Sequence, residues 1–562
     1  MRLRQKNKAI FESDQTILTM SKNLSELSNR KGLKNNLFEE LSDIDSTESL
    51  KSKSKEALVG SANLLGAMSF YDFLKPENKG KKVYVCNGSA CLCAGTQDGV
   101  IDNLKNHFED TEIGHMTCLG RCYENGAFHY EGQNYSNLKA NEISDLIGGK
   151  KKVSQAYNVS YIGEPVLTRP FDGLEFLKKL VKDSLDKGSE NVLTEIKEAN
   201  LRGRGGAGFP MGLKLEACRK QESDQKYIIC NADEGDPGAF SDRYLLEERP
   251  FYVLFGMLMA GFSAGADIGI LYIRAEYPES VTIMQEAINQ LKSEGLMGER
   301  ILGTSFNFDF KIIQAQGAYI CGEETALINS IEGQRPEVRT RPPYPVVQGL
   351  FNKPTLVNNV ETLAAVHYVM NNSADAYTKL GTERSTGTKL LSLDSFFNKP
   401  GLYEVDMGTS LSKVINDLGG GFKESVKALQ IGGPLGGIVP KEKFEALSID
   451  FESFAQNGFL LGHASIVCIP ESFPMIKYLV HLMDFAAYES CGKCFPCRLG
   501  TQRAYEMLEK AENSEYKINK VLFDDLLTTL ADGSLCAHGG GIPLPVRNAL
   551  QYFEEELSNY FE

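Results

Sequence analysis

No apolar run in these 562 residues reaches membrane-spanning length. The nearest candidate, 251–266, stops at Asp267, and its Arg249-Pro250 entry and internal glycines suit a buried helix instead. Basic charge is also scarce. Against 74 Asp and Glu stand 60 Lys and Arg, and the net charge of −14 argues against nucleic acid or an anionic membrane surface as the main partner. The basic N-terminus MRLRQKNKAIFESD lacks an apolar core region, so no signal peptide is visible, and the protein is expected to be cytoplasmic and not membrane-embedded. No internal repeat shows. Cysteine, in contrast, is well supplied: of thirteen, nine fall in two clusters, and close spacing with an odd total suits metal ligation in a reducing compartment better than disulfides. The length predicts three or four domains, each able to bury a core.

The richest single stretch is 201–214, LRGRGGAGFPMGLK, with Gly203, Gly205, Gly206, Gly208 and Gly212 around Arg204 and ending at Lys214. Glycines let backbone N–H groups approach an anion closely, and two cations add charge, so a phosphate-bearing cofactor is the first expectation. Letter by letter the loop satisfies G-x-G-x-x-G, but the preceding run 192–201 has helical spacing, which argues against a Rossmann unit. A flexible surface loop is the bland alternative. A strand at 227–230 leads into NADEGDPGAFSDR (231–243), whose Asn231, Asp233 and Glu234 make sense facing cofactor hydroxyls or ring N–H groups; an ordinary acidic turn is the other reading. After a strand at 310–314, Gly322, Glu323 and Glu324 sit where the chain turns into a helix beginning near Thr325. The segment 334–350 has four prolines and should be an extended, rigid loop, offering Arg341 as a charge and Tyr344 as a stacking face, or merely covering the surface. Asn358, Asn359 and Thr362 open the next helix with amide donors and a hydroxyl.

Two cysteine sets carry the metal chemistry. Cys86-x4-Cys91 and Cys118-x3-Cys122 follow two expected strands, and their spacing departs from the C-x2-C knuckles usual for zinc; four thiolates suit a [2Fe–2S] cluster, with zinc or unligated thiols as the minority reading. Cys93 has no evident place in that set. Near the C-terminus, Cys491-x2-Cys494-x2-Cys497 with a distant Cys536 has the pitch of a [4Fe–4S] site, gripped by helices at 476–488, 501–511 and 517–531.

Taken together, RGRGGAGFP (202–210), NADEGDPGAF (231–240), GAYICGEE (317–324), NNVET (358–362) and ESCGKCFPCRLG (489–500) with Cys536 resemble the NADH-binding flavoprotein subunit of respiratory complex I and the diaphorase subunits of soluble NAD-linked hydrogenases and formate dehydrogenases. Residues 56–150 resemble the thioredoxin-like [2Fe–2S] subunit of the same complexes, here fused upstream. The resemblance implies a multidomain α/β and α+β chain. It would comprise a polar segment 1–55 (helical or partly disordered), a helical lead-in and thioredoxin-like domain over 56–150, and an FMN- and NAD-binding α/β domain over 151–394. A small ubiquitin-like (β-grasp) domain over 395–475 and a C-terminal helical bundle over 476–562 complete it. The cofactors implied are FMN, NAD(H), [4Fe–4S] and [2Fe–2S]. Gly203, Arg204, Gly205, Gly206 and Lys214 would hold the flavin phosphate side; Asn231, Asp233, Glu234, Asp236, Tyr319, Gly322, Glu323, Asn358, Asn359 and Thr362 would surround the rest of the flavin; and Phe209, Glu324, Arg341 and Tyr344 would receive NAD(H).

Asp236 stands where respiratory members usually have Glu, and Arg341 replaces a usual Lys. The expected activity is that of an NAD(H):acceptor oxidoreductase subunit. It would serve a further iron–sulfur subunit and a hydrogenase- or formate-dehydrogenase-type catalytic subunit. An electron-bifurcating flavoprotein and a peripheral-arm NADH dehydrogenase subunit are the alternatives.

Overall fold

The computed structural model describes residues 44, 46–57, 60–75, 77–150 and 157–562. Most of the polar segment 1–55 lies outside them, and its end enters the helix Thr47–Ala57.

In the first unit, β1 (Val83–Cys86) pairs in parallel with β2 (Ile113–Met116) and antiparallel with β3 (Phe128–Tyr130), and β4 (Gln133–Tyr135) gives the order β2-β1-β3-β4. Val83, Val85 and Phe128 point into a core closed by Val100, Leu104, Ile143 and Leu146. Because Cys86 is in register with Met116 on a parallel neighbour, the loops leaving both strands emerge at one end of the sheet. The two cysteine pairs are thereby delivered together. The chain then forms β5 (Asn158–Ile162), which joins the edge of another sheet.

The second unit is an all-parallel sheet of β6 (Tyr227–Ala232), β7 (Ile268–Ile273), β8 (Asp309–Gln314) and β9 (Thr355–Asn359), in the order β8-β7-β6-β9. The runs YIIC and ILYI are buried on both faces, as helix-covered parallel strands require. The run that stops short of membrane length is the buried helix Pro250–Ala264, opened by a proline at its start and ended by Gly265 at φ +74°. It crosses the helix Val360–Asn372 so closely that a Cβ on Gly256 would lie 1.9 Å from the Leu363 carbonyl oxygen.

A six-stranded mixed sheet forms the third unit. It adds β10 (Thr388–Leu393), β11 (Gly401–Asp406), β12 (Val426–Ile431), β13 (Gly437–Pro440) and β14 (Ser465–Pro470) to β5, in the order β13-β12-β14-β10-β11-β5. Two of its strands, β5 and β10, therefore come from outside 395–475. β10 is buried along its whole length, and β5 pairs in parallel with β11 through five registered positions. The C-terminal helices are Met475–Tyr488, Phe495–Asn513, Lys520–Gly533 and Pro543–Tyr552. The second of these starts directly after Cys494, six residues before its expected beginning, because Pro496 suits a first helical turn.

Replacing Gly256 by Ala forces that helix crossing apart, with an expected loss of about 1–3 kcal/mol from overpacking. Denaturant unfolding of the purified protein checks it, and an unchanged midpoint would contradict the packing described.

Candidate functional site

In the parallel sheet, β7 and β8 extend to one side of β6 and β9 returns to the other. The connection reverses direction between β6 and β9, and the crevice beyond their carboxyl ends is where open parallel sheets take ligands. Across that reversal Cys230 pairs with Asn358 and Asn231 with Asn359. The glycine loop lies on top. It closes on itself through Gly203 N–H to Phe209 O (2.8 Å), with Gly206 at φ +121° and Gly208 at φ +61°. It seats on β9, since a Cβ on Gly205 would stand 2.9 Å from Asn359 Cβ. The loop follows the helix Ser189–Glu198 and opens the helix Met211–Arg219, so it is a helix-to-helix turn, not the strand-to-helix turn of a Rossmann unit.

Three side-chain atoms facing this crevice's walls are buried without a hydrogen-bond partner: Asp233 Oδ2, Glu323 Oε1 and Asn358 Nδ2. Buried polar atoms are rarely left unpaired. Two acceptors and an amide donor gathered at the ends of β6 and β9 and at the turn into the helix Glu324–Ile331 suit a ligand with both N–H or hydroxyl and carbonyl groups. Burial pushes the Asp233 acid well above the usual carboxylate range, against the pull of the Arg274 guanidinium. Asn231 holds the neighbouring wall by donating to Gly322 O (2.8 Å).

Around the rim, the Glu324 carboxylate gathers three segments. Lys214 Nζ donates to its Oε2 (3.1 Å) and Arg341 Nη1 to its Oε1 (3.2 Å). Phe209 and Tyr344 are 51% and 55% exposed, which leaves two aromatic faces free on the glycine and proline loops. Tyr319 donates its hydroxyl to Asp236 Oδ1 (2.7 Å), while the other Asp236 oxygen meets His463 Nε2 at 2.6 Å.

Several expected contacts are corrected. Arg204 is no free cation: its guanidinium is buried and donates to the carbonyls of Arg202, Thr386 and Thr388 and to the Tyr377 hydroxyl, so only its main chain borders the loop. The Glu234 carboxylate turns from the crevice to accept the Asp242 and Arg243 N–H groups at the start of the helix Ser241–Glu248. Asn359 caps the helix Val360–Asn372, accepting from Thr362 N–H and donating to Asp242 Oδ2, and Thr362 Oγ1 receives Arg204 N–H. One Glu323 oxygen caps its own helix through Thr325 and Ala326 N–H, and the other faces Arg341 Nη1 at 3.8 Å. In each case an exposed helix terminus or a buried turn claims the polar group first.

The N-terminal thiols contact one another, and those at the C-terminal end are near enough to repel one another. Cys118 Sγ lies 3.2 Å from Cys122 Sγ, and Cys86 interacts with both Cys91 and Cys118; all four are buried, and a Cβ on Gly88 would touch the Cys86 and Cys118 sulfurs at 3.6 and 3.7 Å. Cys93 turns the other way, into the core of the six-stranded sheet beside Asp394. At the C-terminal end, burial pushes the Cys497 thiol up to about 12, with Cys494, Cys536 and Cys491 adding repulsion, and burial likewise pushes Cys536 up to about 11. A Cβ on Gly539 would meet Cys497 Cβ at 2.7 Å, so the cradle tolerates only glycine there. Thiols this reluctant to ionise alone become thiolates when a bound metal supplies the positive charge. Between this set and the crevice runs the segment 319–324: Tyr319 N–H donates to Glu489 Oε2 (2.9 Å), two residues ahead of Cys491.

Known proteins repeat this arrangement. Residues 46–151 match the family described as thioredoxin-like [2Fe-2S] ferredoxin, 196–368 the Nuo51 FMN-binding domain, and 477–560 the NADH-ubiquinone oxidoreductase-F iron-sulfur binding region. The NADP-reducing hydrogenase subunit HndC of Solidesulfovibrio fructosivorans is 41% identical over 376 residues, 66% of this chain and 76% of its own. The chain belongs to the flavin and iron–sulfur NAD(H) oxidoreductase subunit family. The fused arrangement of this family member recurs in the NAD-reducing hydrogenase HoxS subunit alpha of Cupriavidus necator, 35% identical over 524 residues that cover 87% of this chain and 85% of that one. A crystal structure of an NAD+-reducing [NiFe]-hydrogenase in the air-oxidized state superposes with a TM-score of 0.82 at 28% identity, covering 94% of this chain and 93% of that one. Its cofactors are FMN and the two iron–sulfur clusters, as its family domains require.

Sequence reading did not single out His463, Glu489, Arg274 or Tyr277. His463 lies in the turn that leads into β14 of the six-stranded sheet, and Arg274 and Tyr277 follow β7 without a motif. The acidity of the 231–236 turn was the one available signal, since buried carboxylates need cations.

Burial opposes charging of His463, and the adjacent Asp236 carboxylate outweighs it, so its value is raised. The stabilisation is therefore complete below the ordinary histidine range near pH 6.5 and is lost as pH rises through the raised value. His463→Gln should cost thermal stability at pH 6 and little at pH 9. A pH-independent difference in melting temperature would contradict the ion pair.

Proposed function

We propose that this chain is the NAD(H)-oxidising or NAD+-reducing diaphorase subunit of a multi-subunit complex. The flavin lies in the crevice between β6 and β9, and Cys491, Cys494, Cys497 and Cys536 hold the cluster through which electrons reach a partner iron–sulfur subunit. The observation that carries this is the pair of buried atoms without a hydrogen bond, Asp233 Oδ2 and Asn358 Nδ2, beside a glycine loop in which a Cβ on Gly205 would collide with Asn359. A flavin held there supplies the conversion between the two-electron hydride of NADH and the single electrons of iron–sulfur centres.

The chain's own residues do the holding. Gly203, Gly205 and Gly206 present backbone to the phosphate side, and Lys214, on the first turn of the helix Met211–Arg219, adds the cation that Arg204 does not. Asp233 and Asn358 accept from and donate to the ring system, and Asn231 keeps Gly322 close against it. Glu324, already bridged by Lys214 and Arg341, offers a fixed carboxylate to the ribose hydroxyls of the nucleotide, and Tyr344 offers its face to the adenine. No side chain need act as acid or base; alignment of the two rings is the task.

The partner side is marked by exposed Phe495, Leu499 and Leu535, which lie close to Cys494, Cys497 and Cys536 in the chain. Exposed apolar surface beside an electron exit suits an iron–sulfur subunit docking there. Similarity to hydrogenase subunits favours a hydrogenase-type catalytic subunit beyond it. Among the described residues no helix is long and apolar enough to cross a membrane, which supports a cytoplasmic complex.

Anaerobic purification should yield bound flavin that NADH bleaches, and reduction with dithionite should bring up two distinct cluster EPR signals. Cys494→Ala should keep NADH-dependent flavin bleaching and cut onward transfer at least tenfold; loss of neither, or a preparation without flavin, would refute the assignment. Tyr344→Ala should raise KM for NADH about tenfold with kcat little changed, the mark of lost uniform binding.

A further inference from the structure

We propose that Arg274 is a positioning residue for the N-terminal two-iron cluster: it joins the flavin turn to the loop bearing Cys118, and its charge holds that cluster's reduction potential up. This rests on the assignment of Cys86, Cys91, Cys118 and Cys122 to the [2Fe–2S] site.

The geometry is specific. Arg274 leaves the carboxyl end of β7 and is 2% exposed. Its Nη1 donates to the carbonyl of Glu234, in the acidic turn of the crevice. Its Nη2 donates to Thr117 O (2.6 Å), the residue before Cys118, and to Glu276 Oε1 (2.7 Å). One guanidinium thus spans the flavin wall and the cysteine loop.

A second connection runs beside it. Glu234 Oε2 accepts from Arg243 N–H (3.1 Å) and from the Tyr277 hydroxyl (3.2 Å); Arg243 Nη1 donates to Gly120 O (3.1 Å), and Gly120 N–H points to Cys118 Sγ (3.4 Å). Both cations are paired with a carboxylate, Arg243 with Glu247 Oε1 at 2.9 Å and Arg274 with Glu276 Oε1 at 2.7 Å, and it is Arg274 that binds directly to the peptide preceding Cys118. Gly120, at φ +64°, has no room for a Cβ, which would stand 2.8 Å from the Tyr277 hydroxyl oxygen, so the loop is pinned in place.

When the cluster gains one electron, one negative charge appears among buried sulfurs. A fixed cation in that low-dielectric surrounding favours the reduced form. Glu276 tempers the effect, because its carboxylate accepts from the same Nη2 that reaches Thr117 and offsets part of the charge.

Two isosteric changes of opposite sign test this in the full-length protein, by EPR-monitored titration of the [2Fe–2S] signal with dithionite as electron donor. Arg274→Met should lower the midpoint by about 59 mV or more, a tenfold loss in the reduced-to-oxidised ratio at fixed ambient potential. Glu276→Gln, which keeps an acceptor for the guanidinium while removing the counter-charge, should move the midpoint up. Arg274→Lys, retaining charge without the fork, should stay within about twofold of the unmodified ratio.

If Arg274→Met loses the cluster outright, the Gln and Lys variants decide. Arg274 serving only as a brace would give no upward shift in Glu276→Gln, and that result overturns the proposal. An unmodified protein with no [2Fe–2S] signal would overturn the cluster assignment itself, whereas a signal present with unmoved midpoints would overturn only the role of Arg274.

Discussion

One constraint organises the catalytic half of this molecule: four parallel strands must end on the same side, and the chain must change direction once to build them. At that reversal two adjacent strand ends, β6 and β9, have no connection passing over them. The space is filled by segments brought from elsewhere, namely the glycine loop, the turn after Ala232 and the stretch 319–324. Every residue assigned to the flavin or nucleotide is either at a strand end or in one of these segments and the proline loop beside them. The sheet thus decides where chemistry can happen, and the loops decide which chemistry it is.

Much of the conspicuous polarity around the crevice stabilises the frame. Glu234 terminates a helix, Asn359 caps another, Arg204 satisfies three carbonyls, and the buried pair Lys389–Glu361 ties β10 to the helix that begins at Val360. Removing one member of such a pair would strand a buried charge, at a cost of about 3–5 kcal/mol. At the ends of β6 and β9, Asp233 Oδ2 and Asn358 Nδ2 are left without a hydrogen bond, where a ligand could meet them.

The cysteine spacings, the helix-bounded glycine loop and the buried character of 250–264 were legible in the sequence because each depends on local rules of ligand pitch or periodicity. Strands at β1, β2, β6 and β8 were legible for the same reason. The roles of Arg204 and Glu234 were not, since a cation in a glycine loop and an acid in a turn look identical whether they face a ligand or a neighbouring backbone. The membership of β5 and β10 in one sheet was hidden too: β5 pairs with β11 across a long stretch of chain, and on its own it reads as linker. Cys93 shows the opposite situation, a cysteine placed by sequence beside ligands and by the fold beside Asp394.

The edge strand β5 has a consequence for how the fused modules travel together. It lies between the thioredoxin-like unit and the flavin unit in the chain, yet its hydrogen bonds go to β11 of the six-stranded sheet, while Glu404 on β11 accepts the N–H groups of Val166, Leu167 and Thr168 just beyond it. From Asn158 to Thr168 this connection is stitched to β11. Dilution that separates subunits in a looser assembly leaves this pair of electron carriers at constant spacing, so tunnelling between them is set by folding and not by encounter.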